Sequence, residues 1–141
     1  MQLVILAGGK GTRMGALAER QPKPMIPIAG EPILARQIEL ARRHGITEIM
    51  LLTGYRGEVI EDYFGDGSRF GVQLSYRREQ SPLGTAGALA QVKDWIRGDF
   101  LVFYGDIVMD VDLDALAAAH DMHRPLATLV VHPNNHPDDS D

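Results

Sequence analysis

The apolar positions of this chain switch repeatedly between two periods. Residues 2–6 form a short, nearly unbroken apolar run, the pattern of a strand covered on both faces. Residues 32–43 change to helical spacing: Leu34, Ile38 and Ala41 share a face, with Ile33 and Gln37 beside them. Pro32 suits the first turn of that helix and Gly45 its exit. A second strand is predicted over 48–52, a short helix over 58–64 and a turn over 65–68. Val72, Leu74 and Tyr76 alternate with polar residues and mark a third strand. An alanine-rich helix is predicted over 85–96, with Leu89, Val92 and Trp95 or Ile96 facing inward. A strongly apolar strand follows over 100–104, then a helix over 113–123 and a last strand over 127–131.

Strands alternating with helices at this spacing require crossover connections, and so a mostly parallel sheet. The predicted fold is therefore α/β, a Rossmann-like three-layer α/β/α arrangement. Neither an internal repeat nor a dividing linker is visible. Ligand loops in such sheets leave the carboxyl ends of strands. Three loops of unusual composition do so here, over 7–13, 79–84 and 105–110.

Composition narrows the chemistry. The chain has 141 residues and no cysteine, which excludes disulfides, thiolate nucleophiles and cysteine-ligated metals and agrees with a cytoplasmic setting. No apolar run approaches the roughly 20 residues that span a bilayer, and residues 1–7 are too short for a secretory signal. Residues 1–98 hold 13 Lys/Arg against 10 Asp/Glu, whereas residues 99–141 hold one against nine. The first part suits a polyphosphate and the second offers aspartates for a divalent cation, although most of these charges are ordinary solvated surface. There is no basic tract interleaved with aromatics, so nucleic acid is not an expected partner.

Four segments carry candidate chemistry. Gly8-Gly9-Lys10-Gly11-Thr12-Arg13 is neither a Walker A loop nor a dinucleotide fingerprint. Its glycines nonetheless let backbone amides approach phosphate oxygens, and Lys10 and Arg13 add charge. Lys23 stands between Pro22 and Pro24 in a stiff, extended stretch, as a charge held in place for a phosphoryl group would. Glu79, in Glu79-Gln80-Ser81-Pro82-Leu83-Gly84-Thr85, accepts hydrogen bonds only when ionised and would pair with the adjacent N1 and N2 donors of guanine. The plainer reading of that loop is a helix start capped by Ser81 or Thr85. Asp106 directly follows the strand 100–104 and could hold Mg²⁺, with Asp110 and Asp112 as alternatives and simple turn chemistry as the bland account. His120 and His123 lack a third zinc ligand, and no Gly-x-Ser-x-Gly elbow is present.

Taken in order, Leu6-Ala-Gly-Gly-Lys-Gly-Thr-Arg-Met14, Gln21-Pro-Lys-Pro-Met25, Pro82-Leu-Gly-Thr-Ala86 and Phe103-Tyr-Gly-Asp106 resemble the nucleotidyltransferases that make nucleotide-sugars from an NTP and a sugar 1-phosphate. The resemblance runs through essentially the whole chain. It implies that the loop including Ala7, Gly8, Gly9, Gly11 and Thr12 wraps the triphosphate. Arg13 would stabilise the transferring phosphate and Lys23 would neutralise charge between phosphates. Glu79 would read the base, with Gly84 beside it and Pro82 and Thr85 also in the nucleotide site. Asp106 would be one of two Mg²⁺-binding aspartates. The implied reaction is in-line attack of the sugar phosphate on the α-phosphorus, releasing pyrophosphate. Substrates would be an NTP, with GTP favoured by Glu79, and a sugar 1-phosphate; self-association is compatible with this. The tail 132–141 is similar to a stretch in mannose 1-phosphate and D-glycero-D-manno-heptose 1-phosphate guanylyltransferases. Family members are substantially longer, so residues 1–141 are expected to be the N-terminal, nucleotide-binding part of the domain. The C-terminal sugar-binding part and the second metal aspartate would lie in a missing, fused or partner segment. Thymidylyl, uridylyl or adenylyl transfer, or a nucleotide-binding domain without catalysis, remain as alternatives.

Overall fold

Strand β1 (Gln2–Ala7) is the centre around which the fold is laid out. A computed structural model of the chain describes residues 1–9, 21–79, 81 and 83–131. They fall into two compact units, Met1–Asp110 and Val111–Asp141. In the first, β1 is followed by a tight 3₁₀ turn at Lys23–Met25 and a small antiparallel pair, β2 (Pro27–Ile28) and β3 (Glu31–Pro32). Then come α1 (Ile33–Arg43), β4 (Glu48–Thr53), α2 (Gly57–Phe64), β5 (Gln73–Arg78), α3 (Gly84–Ala90) and β6 (Phe100–Tyr104).

The main sheet has the order β5-β4-β1-β6, and all its pairings are parallel. Leu3 of β1 lies level with Ile49 of β4 and Leu101 of β6, so β1 is interior on both edges. It is interior on both faces as well: Leu3, Val4 and Ile5 are all fully buried. That is why its sequence does not alternate. Burial on this scale contributes about 1.5–3 kcal/mol per large aliphatic side chain.

Right-handed crossovers assign the layers. The chain moves outward from β1 through α1 to β4 and through α2 to β5, which puts both helices on one face. It then returns past β1 through α3 to β6, which puts α3 on the other. The packing agrees: Ala88 and Val92 bury against Val4, Met50 and Leu52, with Leu89, Trp95, Ile96 and Phe100 around them. This is the expected three-layer α/β/α arrangement. The strand order reverses between β1 and β6, so a crevice opens there at the carboxyl ends of the strands.

Three elements differ from the sequence-based expectation. The stretch around Lys23, expected to be extended, forms a 3₁₀ turn over Lys23–Met25, with the Met25 amide donating to Pro22 O at 2.9 Å. The helix over 85–96 ends at Ala90, and the chain continues in tighter turns, with Val92 N–H donating to Leu89 O (3.1 Å) and Trp95 N–H to Val92 O (3.0 Å). The inward-facing residues are nevertheless those expected. In the second unit, α4 (Leu113–His123) forms as expected, and Asp112 caps it by accepting from the Ala115 amide at 2.9 Å. Such a cap is worth about 1 kcal/mol. The strand over 127–131 does not form. Leu129, Val130 and Val131 are 81%, 59% and 83% exposed, and among the described residues no strand pairs with them. An apolar run becomes a strand only against another backbone.

Candidate functional site

All four carboxyl ends of the main sheet open on one cavity of about 660 Å³, lined wholly by residues of the first unit. β1 delivers Ala7, Gly8 and Gly9; β4 delivers Gly54 and Tyr55; β5 delivers Glu79; β6 delivers Tyr104 and Asp106. Lys23, Ser81, Gly84 and Thr85 complete the polar lining. The cavity therefore holds Ala7, Gly8, Gly9, Lys23, Glu79, Gly84, Thr85 and Asp106 of the sequence-derived set. Lys10, Gly11, Thr12, Arg13 and Pro82 lie outside the described residues.

The glycines at the end of β1 and β4 are there because two backbones touch. A Cβ on Gly54 would stand 2.8 Å from the Gly8 carbonyl oxygen and 3.0 Å from its Cα, both fixed main-chain atoms. A Cβ on Gly8 would stand 2.9 Å from Oε2 of Glu79. Gly54 is not among the residues the sequence singles out; its only signal there is a glycine immediately after a strand that neighbours β1. Gly54→Ala is expected to destabilise the protein by about 1–3 kcal/mol, the usual cost of overpacking, and, if the cavity takes the nucleotide expected from the sequence, to weaken its binding by displacing Gly8. Denaturant melts and nucleotide titration check this; wild-type values in both would show that the contact yields.

Glu79 is set by the sheet. Its amide donates to the Thr53 carbonyl at 2.8 Å, just beyond the β4–β5 ladder. Its Oε1 is buried with no hydrogen-bond partner among the described residues. Burial pushes the carboxyl above the usual carboxylate range. A buried acceptor without a donor, on the wall of a cavity, suits a ligand that brings donors.

Lys23 and Asp106 meet across the cavity floor, Nζ to Oδ2, at 3.3 Å. Their side chains are 29% and 40% exposed, so the pair contributes little stability, about 0–1 kcal/mol. What fixes it is backbone. Pro24 and Met25 bury the 3₁₀ turn that carries Lys23. The Gly105 amide donates to Leu6 O at 2.9 Å, and a Cβ there would meet Leu6 O at 3.0 Å and Pro24 Cγ at 3.3 Å. Gly105 thus lets β6 end hard against β1 and the proline turn, which brings Asp106 to Lys23.

Gly84 opens α3 with φ +66°, a left-handed conformation that favours glycine, and among the described residues nothing beyond its own neighbours and helix backbone lies within 4 Å of where its Cβ would be. The capping account of this loop fails: Leu83 holds the cap position with no side-chain hydrogen bond. The Thr85 hydroxyl lies 3.3 Å from that of Tyr104.

The nucleotidyl transferase family model matches residues 2–139. This chain belongs to that family. A mannose-1-phosphate guanylyltransferase from Mycobacterium tuberculosis is 42% identical over 127 residues, covering 89% of this chain and 35% of the relative. A UTP–glucose-1-phosphate uridylyltransferase from Synechocystis is 37% identical over 142 residues, covering 92% and 37%. Among solved structures, HddC from Yersinia pseudotuberculosis complexed with GMP-PN superposes with a TM-score of 0.75 at 32% identity, covering 84% of this chain and 53% of that one. The chain thus spans a little over a third of these two curated nucleotidyl transferases, and its fold is that of the family. Among the described residues, no helix is long and apolar enough to cross a membrane.

Proposed function

We propose that this chain forms the nucleotide-binding part of a sugar-1-phosphate nucleotidyltransferase that uses GTP. The observation carrying the proposal is the convergence of a glycine-lined backbone, an acceptor-only carboxylate and a Lys–Asp pair on one cavity at the topological switch point. Gly8 and Gly9, continuing through Gly11, Thr12 and Arg13, hold the triphosphate by backbone amides and the Arg13 fork. Glu79 faces the base, and its unpartnered buried oxygen supports guanine, whose N1–H and N2–H are adjacent donors. Similarity alone does not choose the base, since guanylyl- and uridylyltransferases match at comparable identity. Pro82, Gly84 and Thr85 border the base, and Ala7 the phosphates.

The donor set at Asp106 fits Mg²⁺. The cation commonly takes one or two protein carboxylates and fills its remaining positions with water and substrate phosphates. Asp106 is a hard oxygen ligand with 40% of its side chain exposed. When bound there, Mg²⁺ would neutralise phosphate charge. Lys23, freed from Asp106, would do the same for the α-phosphate and the leaving pyrophosphate. A sugar-phosphate oxygen attacks the α-phosphorus, the bond to the β-phosphate oxygen breaks, and pyrophosphate leaves. The protein supplies alignment and charge and needs no nucleophile of its own. The rest of the full-length protein supplies the sugar pocket, for mannose 1-phosphate or a heptose 1-phosphate. NTP substrates imply a cytoplasmic enzyme.

A coupled pyrophosphate-release assay on the full-length protein tests this, with four NTPs against mannose, heptose and glucose 1-phosphates in Mg²⁺. GTP is expected to give the highest kcat/KM. No release with any pair would remove the enzyme reading, and better turnover with a pyrimidine nucleotide would remove the base assignment.

A further inference from the structure

α1 presents one polar residue among its buried ones. Ile33, Leu34, Ala35, Ile38, Leu40 and Ala41 are buried as its apolar face requires, and Gln37, 2% exposed, is buried with them. Its amide nitrogen donates to two main-chain carbonyls, Tyr104 O at 2.8 Å and Ile107 O at 2.6 Å. These carbonyls bracket Gly105-Asp106. The same turn is closed by the Ile107 amide on Tyr104 O (3.2 Å) and tied to β1 by the Gly105 amide on Leu6 O (2.9 Å). Gln37 therefore supplies the side-chain bonds that fix both ends of the segment carrying Asp106.

A stabilising role alone explains this residue poorly. Its Oε1 is buried with no partner among the described residues, which offsets part of what its two donated bonds contribute to stability. What an apolar residue cannot do is hold two carbonyls at a set separation. We infer that Gln37 is a positioning residue for the metal-binding carboxylate: it clamps the Tyr104–Ile107 turn so that Asp106 is held at the orientation a divalent cation needs. This rests on the reading of Asp106 as a metal ligand. Groups that orient a ligand from behind commonly set metal affinity, and their loss costs about 10- to 100-fold.

The test uses Mn²⁺ as the probe, titrated into the full-length protein with GTP bound and read by electron paramagnetic resonance. Gln37→Met keeps the volume and removes both donors. Mn²⁺ affinity is expected to fall about 10-fold or more, while GTP affinity measured in EDTA is unchanged. In turnover, the half-saturating metal concentration should rise by the same factor, with kcat recovering at saturating metal. A purely structural Gln37 would lower stability and leave the metal titration alone. If Gln37→Met does not fold, Gln37→Leu, which likewise has no donor, is read in the same way and should show the same loss. Wild-type Mn²⁺ affinity in a folded variant overturns the inference. Asp106→Asn separates the two levels: unchanged Mn²⁺ affinity in that variant overturns the metal reading and the inference with it. A loss there without one in the Gln37 variants overturns the role of Gln37 alone.

Discussion

Asp106→Ala and Lys23→Ala should each lower kcat/KM of the full-length protein by about 10³-fold or more, because each removes charge stabilisation worth several kcal/mol in the transition state. The two side chains are 3.3 Å apart across one cavity, so in the proposed mechanism they act on the same phosphates and their effects should not add. The double variant is expected to be little worse than either single one. Steady-state kinetics with GTP and mannose 1-phosphate measures this, and thermal melts should stay near wild type, since an exposed ion pair holds little of the fold together. Chelating the metal should reproduce the Asp106→Ala loss and add nothing to it. Wild-type rates in either variant would mean that the pair only decorates the cavity floor.

The second large effect concerns Glu79. A hydrogen bond from a neutral donor to a charged acceptor is worth about 1.5–3 kcal/mol, so Glu79→Gln should lower kcat/KM for GTP by roughly 10- to 100-fold at neutral pH and affect UTP far less. The pH dependence follows from the free protein. Burial raises the Glu79 carboxyl above its usual range, so the folded state favours the neutral form. Its contribution to stability is complete below the unfolded-state pKa and is lost as pH rises through the raised folded pKa. Guanine donors favour the ionised form and pull that pKa back down. GTP binding should then release a proton in the window between the two values, and GTP affinity should decline as pH falls below the raised pKa. Calorimetry in buffers of different ionisation enthalpy detects that proton, and Glu79→Gln should abolish it. An unchanged ratio of GTP to UTP turnover in Glu79→Gln would remove Glu79 from base recognition.

Much of the fold and of the site is legible in the amino-acid sequence, for a physical reason. Hydrophobic period reports burial, and burial distinguishes a strand covered on both faces, such as β1, from a one-sided helix, such as α1. Glycine and proline report backbone geometry, so the end of β1 and the stiff segment around Lys23 stand out by composition alone, although the 3₁₀ turn there does not. Alternation of strand and helix then implies parallel crossovers, and the rule for such sheets locates the ligand loops at the strands' carboxyl ends.

Partners between distant segments are not legible, because no local pattern encodes them. Gly54 is an ordinary loop glycine until β4 lies beside β1 and its backbone meets that of Gly8. Gln37 reads as one more residue near a helix face; only the tertiary fold puts the β6 turn within reach of its amide. Residues 127–131 show the converse, an apolar pattern that predicts a strand and forms none, since a strand needs a second backbone and period says nothing about whether one is there. The sequence by itself determined the parallel α/β class, the family and loops whose described residues line the cavity. Tertiary structure alone decided which residues meet, Lys23 with Asp106, Glu79 with no donor, Gln37 with the turn, because those contacts arise from the closing of the sheet and not from any run of neighbouring residues.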